Sequence, residues 1–320
     1  MAMISDKYGR TFRTLRVSLL QHCNLGCVYC VSGDEELVAA NRSREGRPLE
    51  AKELLAIISR LHERLQFSTI RLTGGEPLLY PGLSSLVSGI RALGISDVRL
   101  TTNGFLLERQ AVPLKAAGLE AVNVSLDAVE EAVFVQMSRR HSVDRVIRGI
   151  DAAVNAGLEV KLNAVLMKGI NDAQILPLLE LAFSRGIRIR FLELMAMGHL
   201  HKDADRFLVS REEILRVAGG RYRLEPLTRK ASATARYWRT EEGQVFGIIA
   251  NETEPFCQDC DRLRLDSEGR IYGCLSSNHP IGLDMQEGEE VWSAKLAEAL
   301  EQKQPLRFIG SELSMLRIGG

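Results

Sequence analysis

The residues of this 320-residue chain best suited to chemistry are its six cysteines, which fall into two groups of three with none between. Cys23, Cys27 and Cys30 lie in Cys-Asn-Leu-Gly-Cys-Val-Tyr-Cys, and Cys257, Cys260 and Cys274 follow the spacing Cys-x2-Cys-x13-Cys. Clustered thiols in a reducing compartment point to metal rather than to disulfides. A structural zinc site closes with four ligands, and an ordinary electron-transfer cluster takes four cysteines. A local set of three therefore suits an iron–sulfur cluster with one iron left open to a small molecule. The spacing alone leaves open a zinc site completed by His22, or by His279 at the second group, and three unrelated buried thiols.

The elements that must position the first group read from hydrophobic period. Leu15–Leu20 is a strand running directly into Cys23, and Leu54, Leu55, Ile57, Ile58, Leu61 and Leu65 repeat at helical spacing after the polar stretch 31–48. Further strands are expected at Thr69–Thr73, Val98–Thr102, Ala121–Leu126, Glu159–Val165 and Ile187–Leu192. Helices are expected over Gly82–Leu93, Phe105–Ala117, Ser142–Ala156 and Ala173–Arg185, stopped by Gly94, Gly118, Gly157 and Gly186. Strands alternating with helices demand a parallel sheet. Six such units without a Gly-x-Gly-x-x-Gly turn favour an incomplete (β/α)6 TIM-type barrel. The polar motifs Gly74-Gly75-Glu76-Pro77, Thr101-Thr102-Asn103-Gly104, Ser125-Leu126-Asp127, Asn163, and Glu193 with Met195 all fall where these strands end, at the mouth that carries active sites in such barrels.

The pattern changes near residue 220. Arg-Tyr-Trp-Arg and Gln-Val-Phe-Gly-Ile-Ile-Ala read as antiparallel strands, and Arg262–Leu265 with Arg270–Cys274 reads as a hairpin turning at Ser267-Glu268-Gly269. That hairpin returns Cys274 to Cys260 and places Arg262 and Arg264 on one face, with Leu263 and Leu265 on the other. Paired guanidiniums beside a metal site form a clamp for a polyanion. The expected division is a partial barrel over residues 1–220 and a C-terminal antiparallel β-containing domain over 221–320 carrying the second cysteine group.

Composition bounds the partners. Lys+Arg and Asp+Glu both number 41, so no global field draws in nucleic acid or an anionic membrane. Neither a run of about 18 apolar residues nor a signal-peptide pattern occurs, and the cytosol is the expected compartment.

Cys-x3-Cys-x2-Cys with an aromatic before its last cysteine resembles the radical S-adenosylmethionine (SAM) superfamily. Leu-Arg-Val-Ser, Ile-Arg-Leu-Thr-Gly-Gly-Glu-Pro-Leu, Thr-Thr-Asn-Gly, Asn-Val-Ser-Leu-Asp, Asn-Ala-Val-Leu-Met-Lys-Gly-Ile-Asn-Asp, Arg-Phe-Leu-Glu-Leu-Met, the second cysteine group with Arg-Leu-Arg-Leu, and the terminal Ile-Gly-Gly follow in order. Together they resemble the GTP 3′,8-cyclase family of molybdenum cofactor biosynthesis along nearly the whole chain.

The resemblance implies two [4Fe-4S] clusters, with Cys23, Cys27 and Cys30 at the SAM-binding one and Cys257, Cys260 and Cys274 at an auxiliary one whose open iron meets guanine. It sets Tyr29, Gly75, Ser125 and Met195 at SAM-contacting positions and Arg16, Arg71, Thr101, Lys161, Arg262, Leu263 and Arg264 at GTP-contacting ones, with Arg190 a further basic candidate. Arg262, Arg264 and the terminal Gly319-Gly320 fall at positions that act in the reaction, in which a 5′-deoxyadenosyl radical removes the 3′ hydrogen of GTP and C3′ closes on guanine C8. An external electron donor, the next enzyme of the molybdopterin pathway, and a monomeric or homodimeric state are also implied. The chain departs from the family pattern at Gln21-His22, Val31-Ser32, Thr69 and Tyr80, which leaves a paralogue acting on a peptide or another small molecule as the alternative. A non-catalytic zinc protein is the second. His199 and His201 read as surface or loop residues.

Overall fold

The computed structural model describes residues 4–34 and 47–319, so the centre of the polar stretch 31–48 and Gly320 lie outside the described residues. Strands β1 (Thr14–Ser18), β2 (Thr69–Thr73), β3 (Asp97–Thr102), β4 (Ala121–Ser125), β5 (Glu159–Val165) and β6 (Arg188–Leu192) pair in parallel, each beside the next. Helices α1 (Ala51–Leu65), α2 (Leu83–Ala92), α3 (Leu107–Ala116), α4 (Glu131–Ser138), α5 (Val143–Asn155) and α6 (Ile175–Ser184) lie between them in sequence. Successive strand residues point to opposite faces. Leu15, Val17, Ile70, Leu72, Val98, Leu100, Val122, Val124, Leu162, Ile189 and Phe191 are fully buried in the core. The alternate positions, among them Arg16, Arg71, Arg99, Asn123, Lys161 and Arg190, are thereby turned to the interior of the incomplete barrel.

The strands foreseen as alternating β/α units are all present, with ends shifted by a residue or two. Gly157 and Gly186 both take positive φ, 76° and 63°, at the helix ends where sequence placed them. Helix α4 was not anticipated. It is short, and Arg139 (φ 56°) and Ser142 (φ 82°) break the chain between it and α5.

Beyond residue 220 the strands are antiparallel to one another, as expected, but they join the same sheet. After α7 (Arg211–Gly219), strands β7 (Leu224–Pro226), β8 (Arg236–Thr240) and β9 (Val245–Ile249) form a meander whose last strand runs parallel to β6. Strands β10 (Arg262–Leu265), β11 (Arg270–Tyr272) and β12 (Ile281–Gly282) follow, with β10 parallel to β1. The sheet therefore has twelve strands in the order β12-β11-β10-β1-β2-β3-β4-β5-β6-β9-β8-β7. Both edges of the parallel sheet, whose unpaired backbone groups would otherwise invite other strands, are covered from the C-terminal part of the chain.

Helix α8 (Glu289–Glu301) locks this arrangement. Its Trp292 is buried beneath the α1 guanidiniums of Arg60 and Arg64, 4.2 and 5.6 Å from the ring, and its C-terminal turn presses on the end of the β10–β11 hairpin. A Cβ added at Gly273 would stand 1.7 Å from the Ala299 carbonyl oxygen, whereas one at Gly282 would meet nothing within 4 Å. The obstacle at Gly273 is backbone, which cannot rotate away, so Gly273→Ala should destabilise the fold by at least the ~1–3 kcal/mol typical of overpacking. Thermal unfolding of Gly273→Ala beside Gly282→Ala checks this. Equal melting temperatures would refute the close approach.

Candidate active site

The loop after β1 folds around Cys27. The Cys27 carbonyl accepts from the amides of Cys30 (2.8 Å) and Val31 (3.1 Å), and the Leu25 amide points at the Cys23 sulfur (3.4 Å). The end of α4 grips this loop from outside. The amides of Gly26 and Val28 donate to the Ser138 and Met137 carbonyls, while the Arg139 guanidinium donates to the carbonyls of Gly26 (2.8 Å), Val31 (3.1 Å) and Ser32 (3.0 Å). From within, Gly74-Gly75-Glu76 lies against residues 20–22, the amides of Gly75 and Glu76 donating to the Leu20 and His22 carbonyls at 2.7 Å. A Cβ at Gly75 would meet the His22 carbonyl oxygen at 2.1 Å. Glycine is required there for the strand-end loops to touch.

Three carboxyl and amide side chains fix the remaining mouth. Glu76 is buried and accepts from the Thr102 hydroxyl (2.6 Å) and the amides of Asn103 (2.8 Å) and Leu78 (2.9 Å); burial pushes its carboxyl up to about 7 against those donors. Asn103 in turn donates to Asn24 at 2.8 Å. Asp127 accepts from the Tyr29 hydroxyl (3.0 Å) and the Val165 amide (2.8 Å), with burial raising it to about 6. Ser125 pairs in register with Asn163 at the same strand ends, and Met195 packs beside Met197, Tyr272, Phe308 and Ile318. Glu193, also at a strand end, serves the fold instead: its carboxylate collects the amides of Arg211 (3.0 Å), Glu252 (2.9 Å) and Thr253 (3.0 Å).

The thiols of the first group face one another. Burial, then Asp127, then Cys23 and Cys30 hold Cys27 well above the ordinary thiol range, and burial with Glu76 pushes Cys23 up to about 11. Crowded thiolates of this kind are relieved by a cationic centre, so the donor set fits an iron–sulfur cluster.

The second group sits at the opposite end of the same strand pair. Parallel register sets Arg262 beside Thr14, so Cys260 precedes the start of β10 while Cys23 follows the end of β1. At about 3.3 Å per residue the two groups are separated by roughly 15 Å along the strands. Burial pushes Cys257 up to about 11; at Cys260 burial is outweighed by Arg262 and Lys303, which bring it down to about 7. Lys303 Nζ lies 3.4 Å from the Cys260 sulfur, and Arg10 donates to the Cys257 carbonyl at 2.6 Å. These thiols also suit a cluster. His279 is exposed, and among the described residues no three His, Cys, Asp or Glu side chains converge to hold a single ion.

Between the two groups the inward-facing strand positions carry a cluster of cations. Register aligns Arg264, Arg16 and Arg71 on neighbouring strands. Desolvation first, then Arg264, Arg71, Arg262 and Arg190, hold Arg16 well below the usual guanidinium range, and its buried Nε has no hydrogen-bond partner among the described residues. Burial and neighbouring arginines likewise bring Arg71 to about 10. Arg190 is buried and donates to the amide oxygens of Asn163 and Asn123, both 2.9 Å away, which orient it; burial holds it below the usual guanidinium range, against a hydrogen bond with Tyr237 that raises it. Lys161 is paired to Glu159 at 2.5 Å. Thr101 lies on the same face, in register with Asn123. Leu263 is fully buried in the apolar core, so its side chain faces away from Arg262 and Arg264.

The chain end reaches this cluster. Helix α9 (Met315–Ile318) ends at Gly319, whose φ is 68° and whose carbonyl, with that of Ile318, accepts from the Arg264 guanidinium. A Cβ at Gly319 would stand 2.4 Å from Thr73 Cγ2. Gly320 is not among the described residues.

Residues 17–182 match the radical SAM superfamily, and residues 187–307 match the domain described as Molybdenum Cofactor Synthesis C. GTP 3′,8-cyclase of Staphylococcus epidermidis is 38% identical over 85% of this chain and 81% of its own length. That of Corynebacterium glutamicum is 36% identical over 97% of this chain and 86% of its own. The chain belongs to the GTP 3′,8-cyclase family. Streptococcus suis SuiB bound to S-adenosylmethionine shares the fold, with a TM-score of 0.62 at 18% identity over 88% of this chain and 65% of SuiB. As a radical SAM enzyme of the cyclase family, the chain uses a [4Fe-4S] cluster and SAM.

Two of the departures from the family pattern are held by ordinary hydrogen bonds. Tyr80 is buried with its hydroxyl on the Leu49 carbonyl at 2.6 Å, and Thr69 donates to Asp97 at 2.8 Å. His199 and His201 lie at a surface turn, His199 Nε2 standing 3.0 Å from the Val28 carbonyl. Sequence reasoning passed over Arg139 and Lys303, for which no local motif exists. It also passed over Arg99, which the alternation of Arg99 and Thr101 on one strand face could have revealed.

Arg139 holds three carbonyls that flank Cys27 and Cys30, so its loss should loosen one cysteine group and spare the other. Anaerobically reconstituted Arg139→Ala is expected to hold about half the wild-type iron and to lose reductive SAM cleavage. Wild-type iron content with normal SAM cleavage would show that the clamp is dispensable.

Proposed function

We propose that this chain cyclises GTP to (8S)-3′,8-cyclo-7,8-dihydroguanosine 5′-triphosphate, an early step of molybdenum cofactor biosynthesis. The observation that carries this reading is the set of buried guanidiniums lying between two three-cysteine groups. A buried charge without an opposite partner costs several kcal/mol, and here several lie together with mostly neutral partners. A triphosphate is the kind of polyanion that such a site binds.

With SAM bound, the cluster at Cys23, Cys27 and Cys30 supplies a 5′-deoxyadenosyl radical able to take the 3′ hydrogen of the ribose. The protein's task is positioning. Arg16, Arg71, Arg190 and Lys161 hold the phosphates, Thr101 lies among them, and Arg262 orients the substrate beside the second cysteine group. In this reading Cys257, Cys260 and Cys274 would hold a second four-iron cluster, whose open iron would supply a site for guanine, and Leu263 contributes through its backbone. Tyr29, Gly75, Ser125 and Met195 surround SAM at the mouth. The Gly319-Gly320 end and Arg264 act in the reaction.

The reading extends to organisation and partners. Residues 1–220 form the radical SAM partial barrel, whose interior also contributes phosphate-binding side chains, and 221–320 the part that carries the second cysteine group, further GTP contacts and the Gly-Gly tail. An external reductant supplies electrons, and the next enzyme of the pathway takes the product. The thiol content suits a reducing cytosol, and no helix among the described residues is long and apolar enough to cross a membrane.

GTP deuterated at C3′ should pass its label into 5′-deoxyadenosine, followed by mass spectrometry. SAM consumption with the label retained in the nucleotide would overturn the assigned reaction. Separately, Arg190→Ala removes a charge-assisted contact worth ~1.5–3 kcal/mol. It should weaken GTP binding about tenfold or more and leave both clusters and GTP-independent SAM cleavage intact, as read by calorimetry and iron analysis.

A further inference from the structure

Arg99 lies on the inward face of β3 beside Arg71, yet neither the motifs nor the family pattern assigns it a part. Register sets Arg264 beside Arg16, Arg16 beside Arg71, and Arg71 beside Arg99, a row of arginines across β10, β1, β2 and β3. With about 4.8 Å between strands, the row spans roughly 14 Å, the scale of a whole nucleotide rather than of one phosphate. It begins at β10, next to the second cysteine group, and ends at Arg99.

The guanidinium of Arg99 is shared between two carboxylates. Its Nε lies 2.7 Å from Asp97 and one terminal nitrogen 3.3 Å from Glu159. Each carboxylate has another partner: Asp97 accepts from the Thr69 hydroxyl at 2.8 Å, and Glu159 is paired to Lys161 at 2.5 Å. Release of Arg99 therefore leaves Asp97 on the Thr69 hydroxyl and Glu159 in contact with Lys161, whose ammonium can bridge that carboxylate and a phosphate. Glu159 is half-exposed, and ion pairs of that kind are weak, whereas a guanidinium on a phosphate makes strong, often bidentate contacts. Arg99 is also among the charges that hold Arg71 and Lys161 below their usual ranges, so it shares their space. The two carboxylates give this end of the row a second property. Unless Arg99 stands between, they repel an anion approaching along it.

We propose that Arg99 is a specificity-determining residue of the substrate site, leaving Asp97 and Glu159 to bind the terminal phosphate so that the site distinguishes a nucleoside triphosphate from a diphosphate. The inference rests on the reading of GTP as substrate with guanine at the second cysteine group. A merely structural Arg99 would neutralise Asp97 and Glu159 and affect stability without affecting that discrimination.

The test measures binding of GTP and of GDP to the cluster-reconstituted protein by calorimetry, in the wild type, Arg99→Gln and Arg99→Lys, with thermal unfolding of each. Arg99→Gln should weaken GTP at least tenfold and GDP less than twofold, and Arg99→Lys should recover part of the preference for GTP. Equal losses for the two nucleotides, or unchanged GTP binding, would overturn the proposal even if the melting temperature falls. Should Arg99→Gln fail to fold, Arg99→Lys with an undiminished ratio of GTP to GDP affinity overturns it equally. A wild type that binds no GTP would instead bring down the substrate assignment itself.

Discussion

The rest of the structure depends on mutual repulsion among buried guanidiniums. Arg16, Arg71, Arg190 and Arg264 are each held below the ordinary arginine range, with desolvation the largest cause in every case and neighbouring arginines adding to it. A protein with equal numbers of acidic and basic residues has gathered positive charge in one place. The strands bear that cost because their other face is fully apolar: Leu15, Val17, Ile70, Leu72, Leu263 and Leu265 are completely buried. The same alternation that builds the core thus holds the arginines in place, and a one-residue slip of any strand would exchange the two faces. The fold fixes charge position through register.

This constraint also explains how the C-terminal part attaches. Strand β10 could have carried Arg262 and Arg264 on a separate domain, with the site formed at a flexible interface. Instead it pairs with β1 in the same sheet, residue for residue from Thr14–Arg262 to Val17–Leu265. The hydrogen-bonded ladder then sets the spacing of Arg264 from Arg16, and of the second cysteine group from the first. For a radical that would attack almost any nearby C–H bond, such fixed spacing limits side reactions. The grip of Arg139 and Gly75 on the first loop serves the same end.

The alternating strands and helices were legible because burial on one face leaves a period that survives in a single sequence. The cysteine groups and strand-end motifs were legible because few side chains offer that chemistry. What escaped had no local signal. The parallel pairing of β9 with β6 and of β10 with β1 joins segments far apart in sequence, and strand patterning carries no information on the direction of a distant partner. Helix α4 was too short and too uniformly apolar to show a helical face. Arg99 in Asp-Val-Arg-Leu reads as an ordinary half-buried strand residue; only its register with Arg71 shows that it extends a row. Gly75 was read as a cofactor contact, and the structure adds a second reason for it in the His22 carbonyl at the site of its missing Cβ.

Arg264 links the chain end to these charges. Its guanidinium donates to the carbonyls of Ile318 and Gly319, which are neutral acceptors. A carboxylate-bearing side chain there would have neutralised Arg264 and weakened the field that holds an anion. Backbone carbonyls orient the guanidinium without bringing a carboxylate to it, as the amide oxygens of Asn123 and Asn163 help to orient Arg190. Glycine is what lets a chain end serve this way. At Gly319 the backbone has φ 68° and passes so close to Thr73 that a Cβ would overlap its methyl group, a combination open to no other residue without strain. Thr73 is the last residue of β2, and Gly74 and Gly75 follow it into contact with the loop of the first cysteine group. Through Gly319 the tail therefore bridges the arginine row and the loop of the first cysteine group, held at Arg264 by neutral carbonyl acceptors.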